Sequence, residues 1–109
     1  MRPIRVAVSS ATVSAPIPLN SNVDPFNVSV GVTLSAGANL TYKVQYTYDD
    51  VWDPAFNAAT ATWFDHATIT GKIASFDGNF TSPVVACRLN VTPYTSGTAT
   101  MTVLQAGIA

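Results

Sequence analysis

The sequence predicts an all-β protein, an antiparallel β-sandwich with a jelly-roll-like order of strands. Apolar and polar residues alternate with a period of two through most of the chain, the pattern of strands with one buried and one exposed face. Turn signals recur roughly every 8 to 12 residues, and no stretch has the sustained apolar period of a helix. An immunoglobulin-like topology is the alternative. Cys87 is the only cysteine, so the paired cysteines typical of that fold are missing, which favours the jelly roll.

The length is that of one domain. A chain of 109 residues can build one hydrophobic core and is too short for two, so we interpret residues 1–109 as a single β-sandwich domain. Near the start, Ile4, Val6 and Val8 fall on one face of a short strand. Residues 1–8 are therefore expected to form an edge strand or an N-terminal arm that contacts a partner.

The clearest alternation lies in the first half of the chain, in residues 26–35 and 40–49. The segment between them is short and turn-prone, so the sequence predicts that they pair as a hairpin. The residues expected to face the core there are Val30, Val32, Val44 and Tyr46. Before these strands, the two prolines of residues 15–20 remove backbone donors and predict at best an edge segment.

The second half contains further strand signals separated by turn signals. Asp77-Gly78-Asn79 predicts a turn, and residues 93–97 predict a hairpin loop between the strands 85–91 and 98–104. In the first of these strands, the side chains expected to point inward are Cys87, Leu89 and Val91. Between the two halves, the alternation stops in residues 51–60. Loops of this length are usually functional or held by their own side chains.

Composition excludes several classes of function. Charged residues make up 10% of the chain, and the net charge is −1. The five Lys and Arg residues are scattered singly, so the basic patch of a nucleic-acid-binding protein is absent from the sequence. Hydrophobic residues make up 48%, yet no apolar run reaches the roughly 20 residues of a membrane-spanning helix. We therefore expect neither nucleic acid nor membrane as a partner.

The sequence contains no catalytic motif. His66 is the only histidine, and its neighbour Asp65 could be cast as its orienting partner, but consecutive strand residues point to opposite faces. The chain has no Gly-rich phosphate loop and no nucleophile elbow. We expect no enzymatic activity and no cofactor.

A group of acidic residues lies near the long loop. Asp49, Asp50 and Asp53 carry the hard oxygen ligands that Ca²⁺ prefers, although their spacing does not match an EF-hand. The favoured interpretation is that they cap turns and keep the loop soluble, so no metal site is predicted.

Aromatic residues around the same loop have two interpretations. They either close one end of the sandwich or anchor it on a partner. The outward strand positions are mostly Thr, Ser, Asn and Ala, as expected of surfaces that are covered in an assembly. The candidate interface residues are Ile4, Arg5, Trp52, Phe56, Trp63 and Phe64.

Three stretches carry a resemblance to a known group of proteins. Residues 44–53, residues 61–66 and the segment from Arg88 to Gly107 are similar to small proteins encoded among the structural genes of tailed bacteriophages. The resemblance covers residues 40–107 and supplies no catalytic residues. It implies a virion component, and a small all-β domain of this size is similar to decoration or cement proteins on the outer surface of the capsid.

The resemblance also implies partners and a location. The expected partners are the major capsid protein or other virion proteins, together with further copies of the chain in a homo-oligomer. The expected location is the capsid surface of the virion, after synthesis in the host cytoplasm.

Two other functions stay open on the sequence. One is a tail, neck or fibre-associated virion protein. The other is a carbohydrate-binding β-sandwich, in which Trp52, Trp63 or Tyr94 would stack on sugar rings while Asp49 or Asp53 would hold Ca²⁺ or sugar hydroxyls.

Overall fold

The computed structural model describes residues 3–19, 27–57, 59–81 and 83–105, and within these ranges it contains eight β-strands and no helix. No membrane-spanning helix is therefore found among the described residues. The strands are β1 (Ile4–Val8), β2 (Ile17–Pro18), β3 (Val28–Leu34), β4 (Asn39–Thr47), β5 (Phe64–Asp65), β6 (Phe76–Phe80), β7 (Ala86–Ser96) and β8 (Ala99–Gln105).

The strands form two four-stranded antiparallel sheets. One sheet, called here the β1 sheet, has the order β1-β8-β3-β6, and the other, the β2 sheet, has the order β2-β7-β4-β5. The pairs β1–β8, β2–β7, β3–β6 and β4–β5 are therefore nested, as in one long antiparallel ribbon folded over on itself. This is the strand order of a jelly roll. The structure confirms the predicted β-sandwich and selects the jelly roll over the immunoglobulin-like alternative.

The core lies between the sheets and follows the predicted alternation. On β3 the side chains of Val28, Val30 and Val32 are buried, while Ser29, which lies between the first two, and Thr33, which follows the third, are exposed. The predicted inward positions Val44, Cys87, Leu89 and Val91 are also fully buried. Tyr46 is only partly buried, because it lies where the sandwich opens.

Both predicted hairpins are wrong. β3 and β4 follow each other in the chain but belong to different sheets, and so do β7 and β8. Each of the two connections crosses from one sheet to the other. The first contains a turn in which the Ala38 N–H donates to the Ser35 carbonyl oxygen at 3.1 Å. A short turn-prone segment looks the same in sequence whether it joins neighbouring strands or crosses the sandwich.

The predicted turn at Asp77-Gly78-Asn79 is also wrong, because these residues lie inside β6 and pair with β3. A Cβ atom on Gly78 would lie 3.1 Å from Ile69 Cδ1 and 3.2 Å from His66 Cε1. The glycine therefore allows a close approach between a strand and a loop, which is the other common role of glycine in a strand.

β1 and β2 each lie at one end of a sheet. β1 lies at one end of the β1 sheet, and residues 1 and 2 of the segment 1–8 lie outside the described residues. β2, which lies within the predicted proline-rich edge segment, ends the β2 sheet. Asn20, the last residue of that segment, lies outside the described residues.

Candidate functional site

A cleft of about 390 Å³ opens between the two sheets, where β5 lies near β6. Tyr46 and Tyr48 point into it, because residues two apart on an extended chain share a face. Phe64 is the register partner of Tyr46 and adds its ring to the same face. The residues lining the cleft are Tyr46, Tyr48, His66, Ala67, Thr68, Asn79, Phe80, Thr81 and Val84.

Aromatic rings form one wall of this cleft. The rings of Tyr46 and Phe64 are stacked, with centroids 5.8 Å apart and an angle of 26° between their planes. Phe80 meets Tyr46 edge-on at 5.4 Å. Tyr48 is 57% exposed and Phe64 is 44% exposed. The cleft therefore presents aromatic surface to solvent.

His66 is fixed at the base of the cleft by its own loop. Its Nδ1 atom accepts hydrogen bonds from the backbone N–H groups of Thr68 and Ile69, both at 3.1 Å. This pattern assigns the ring proton to Nε2, which donates to the Asn79 carbonyl oxygen at 2.9 Å. Both ring nitrogens are thus occupied, and the ring ties the loop after β5 to β6 in the opposite sheet.

Asp65 does not act on His66. Its carboxylate lies on the outer face of the β2 sheet, where Oδ1 accepts a hydrogen bond from Gln45 Nε2 at 3.0 Å. The same oxygen lies 3.4 Å from Lys43 Nζ. The Asp65–His66 pair considered from the sequence is therefore not formed in the structure.

The cleft is electrically neutral. Its lining contains no Asp, Glu, Lys or Arg among the described residues. Burial and, to a lesser extent, the nearby Tyr48 raise the pKa of the Tyr46 phenol, so this hydroxyl stays protonated near neutral pH. The arrangement suits a neutral ligand with a flat apolar face and offers no counter-charge to an ion.

The outer face of the β2 sheet carries a polar network centred on Gln45. Gln45 Oε1 accepts hydrogen bonds from Arg88 Nε at 3.0 Å and from Asn90 Nδ2 at 3.3 Å. The Arg88 guanidinium lies over the Trp63 ring, 4.1 Å from its centroid. Burial lowers the pKa of Arg88 from its usual value, but this group remains charged at neutral pH. Gln45 is consequently buried although it faces outward.

The long loop is held by short hydrogen-bonded turns. Asp50 Oδ1 accepts a hydrogen bond from the Trp52 N–H at 3.0 Å, and Asp53 Oδ1 accepts one from the Ala55 N–H at 2.9 Å. Asp49 Oδ2 accepts from the Thr62 N–H at 2.9 Å and so closes the loop. These contacts fit the interpretation of the acidic residues as turn caps. Within the described residues, no group of three His, Cys, Asp or Glu side chains is arranged to hold a metal ion.

Trp52 lies on this loop and is 74% exposed. Its own backbone N–H takes part in one of the turns, so the backbone is fixed while the indole projects into solvent. Phe56 is partly buried and lines a depression beside the aspartates.

The other interface candidates are separated in space. Trp63 and Phe64 are consecutive, and they point to opposite faces: Trp63 packs on Arg88 and Phe64 lines the aromatic wall. Ile4 and Arg5 lie on β1, at the edge of the β1 sheet farthest from β6. The aromatic residues that the sequence groups together therefore do not form one cluster.

Sequence reasoning missed the cleft itself. Tyr46 was expected in the core, while Tyr48, His66 and Phe80 were not assigned to any site. The alternation of Tyr46 and Tyr48 is visible in sequence, but their partner Phe64 is revealed only by the pairing of β4 with β5.

Comparison of the chain with protein-family models, with curated proteins and with solved structures gives no significant match.

Proposed function

We propose that this chain is a non-enzymatic structural protein of a tailed-bacteriophage virion, a decoration protein that binds the outer surface of the capsid and stabilises the head. The resemblance of residues 40–107 to phage structural proteins supports this proposal. The jelly-roll fold is compatible with it, because such folds occur in viral capsid domains.

The exposed indole of Trp52 is the observation that carries the proposal. Tryptophan is enriched among the few residues that dominate the energy of protein interfaces. Three turn-capping side chains already fix the loop around it, so docking would cost little conformational entropy. A large apolar side chain on a pre-organised loop is suited to a pocket on a capsid protein.

The proposed mechanism is mechanical. Each copy bridges neighbouring capsid subunits through small contacts, and a homo-oligomer multiplies these contacts through effective concentration. Subunits held in this way resist the pressure of packaged DNA. The low charge of the chain fits this role, because few charged groups must be desolvated when the surface is covered.

The copy number of the protein in purified virions tests the role directly. Mass spectrometry of whole particles measures it against the major capsid protein. A ratio near one, or a simple fraction fixed by capsid symmetry, supports decoration. A handful of copies per particle indicates the tail, neck or fibre alternative, and absence from the virion refutes both.

A pair of variants tests the contact residue. Trp52→Ala is expected to keep the melting temperature of the isolated protein and to lower its occupancy on capsids that lack the native copy. Ile73→Ala is the matched control, since Ile73 is similarly exposed and lies on a different loop. Unfolding of Trp52→Ala, or equal occupancy for both variants, would show that Trp52 is not the anchor.

The aromatic cleft favours a second candidate, a carbohydrate-binding module. A sugar ring has a flat face of C–H groups that stacks on aromatic rings, and its hydroxyls suit the side chains of Thr68 and Thr81 at the rim. The residues that line this cleft are not those that the sequence suggested for sugar stacking, namely Trp52, Trp63 and Tyr94. A glycan array with wild type and Tyr48→Ala tests this candidate. Lack of binding to every glycan would remove it.

A further inference from the structure

The outer face of the β1 sheet presents one row of residues with opposite charges at its ends. Register pairs align Arg5 with Thr102, Thr102 with Gly31, and Gly31 with Asp77. All four point away from the core, because their neighbours on each strand alternate toward it. The row therefore crosses the whole sheet from its β1 edge to its β6 edge.

The charges at the two ends cannot meet within one molecule. Three strand spacings of roughly 4.8 Å separate them, about 14 Å in total. Neither Arg5 nor Asp77 forms an ion pair or side-chain hydrogen bond with another described residue. Within the described part of the chain, the two charges therefore lie unpaired at opposite edges of the same face.

The face between these charges carries no charged side chain. Its outward positions on β3 and β8 are Ser29, Gly31, Thr33, Thr100, Thr102 and Leu104. A hollow beside Gly31 is lined by Thr33 and Asp77, because the glycine has no side chain to fill it. Mostly small polar side chains, one exposed leucine and one hollow allow a second surface to approach closely.

We propose that a second copy of this chain packs on this face, related by a twofold axis that runs parallel to the strands. This rotation reverses the row and brings it opposite itself. Arg5 of each copy then faces Asp77 of the other, so two ion pairs form, and Thr102 of each copy faces the hollow at Gly31 of the other. Such a self-complementary contact, in which i meets j and j meets i, is the signature of a twofold interface.

The size of the face sets the strength of the contact. Four strands lie side by side, the two central ones with seven residues and the two edge strands with five, so the patch measures at most roughly 23 by 19 Å. This area is smaller than that of a standard stable interface, so the dimer is weak and depends on protein concentration. Because exposed ion pairs are screened by salt, it also weakens as ionic strength rises. The inference deepens the proposed function, since it identifies a surface for the homo-oligomer, and it rests on that function only for its biological role.

Charge reversal tests the pairing by sedimentation equilibrium of the purified chain at low and high salt. Arg5→Asp places two acidic pairs across the interface, and Asp77→Arg places two basic pairs there. Each is expected to weaken self-association by about tenfold, because attractive pairs become repulsive ones. Lys43→Asp is the matched control, with the same change in charge on the outer face of the β2 sheet, and should leave self-association near the wild-type value.

Restoration makes the test specific. The double variant Arg5→Asp/Asp77→Arg restores both pairs and should regain the wild-type dimer. An equimolar mixture of the two single variants should form a heterodimer, in which one pair is native and the other reversed. A wild-type chain that stays monomeric at millimolar concentration would overturn the inference, as would single variants that behave like Lys43→Asp or a mixture that fails to associate. Virion copy number is a separate measurement, so the capsid role and the dimer can fail independently.

Discussion

The Nε2 atom of His66 lies 2.9 Å from the backbone oxygen of Asn79, and this hydrogen bond joins the two sheets of the sandwich. His66 follows β5 in the β2 sheet, while Asn79 belongs to β6 in the β1 sheet. Side-chain packing holds most of the sandwich together, but here the sheets are connected by a directional bond. The aromatic cleft opens directly above it, so the bond fixes the distance between the walls of the cleft.

Replacement of His66 by Ala should destabilise the protein by about 2–4 kcal/mol, because three backbone groups lose their partner and one of these, the Ile69 N–H, is buried. His66→Asn should recover part of the loss. A shorter amide oxygen can still accept from the loop N–H groups but cannot reach Asn79. Urea denaturation of wild type, His66→Ala and His66→Asn measures the order of their unfolding free energies. Equal stability of His66→Ala and wild type would show that the bridge between the sheets contributes nothing.

Gly97 should tolerate no side chain at all. It has a φ of 94°, and a Cβ atom there would lie 2.4 Å from Ala38 Cβ. Gly37 also has a positive φ, of 73°, but open space surrounds it. Gly37→Ala should therefore cost about 1 kcal/mol from backbone conformation alone, and Gly97→Ala at least about 3 kcal/mol from conformation and collision together.

Thermal unfolding of these two variants measures the difference. Ala38 lies in the connection from β3 to β4 and Gly97 in the connection from β7 to β8, so the collision occurs where the two sheet-crossing segments touch. Similar melting temperatures for both alanine variants would contradict this close contact.

The sequence predicted the strands well and their partners poorly, for a physical reason. Alternation of Val28, Val30 and Val32 reports which face of a strand is buried, which is a local property. The choice of neighbour is not local, because β3 pairs with β6 and β8, which both lie in the second half of the chain. For the same reason the cleft could not be predicted. Tyr46 and Phe64 are brought together only by the pairing of β4 with β5.

Cys87 should make the protein less stable at alkaline pH. Burial raises the pKa of its thiol from 9.0 to about 12. Below pH 9 the thiol is protonated in both states and has no effect. Between pH 9 and 12 the unfolded chain loses this proton while the folded chain retains it, so stability falls with a slope of up to about 1.4 kcal/mol per pH unit.

Cys87→Ala isolates this contribution. The pKa values of Tyr42 and Tyr46 are also raised by burial and act in the same direction, so the wild type alone cannot separate the groups. The difference in unfolding free energy between wild type and Cys87→Ala should be constant below pH 9 and shift in favour of the variant above it. A difference that stays constant up to pH 12 would mean that the thiolate is not penalised in the fold.

Gln45 should be the least replaceable polar residue on the outer face of the β2 sheet. Its side-chain amide donates a hydrogen bond to Asp65 and accepts hydrogen bonds from Arg88 and Asn90. It therefore serves an acceptor on one side and two donors on the other. Gln45→Leu keeps the side-chain volume, but Asp65, Arg88 and Asn90 then lose their partly buried hydrogen bonds to Gln45. The free energy of unfolding is expected to fall by about 1–3 kcal/mol.

A second substitution shows whether the pattern of donors and acceptors is what counts. Gln45→Glu retains the acceptor for Arg88 but places a second carboxylate beside Asp65, so it should also destabilise the protein. Gln45→Glu/Asp65→Asn returns a donor to that position and should regain most of the lost stability. Because Arg88 lies on the Trp63 ring, fluorescence of Trp63 in a Trp52→Phe background should follow the same order. If Gln45→Leu were as stable as wild type, the network would be replaceable by apolar packing, and Arg88 would be held by Trp63 instead of by Gln45.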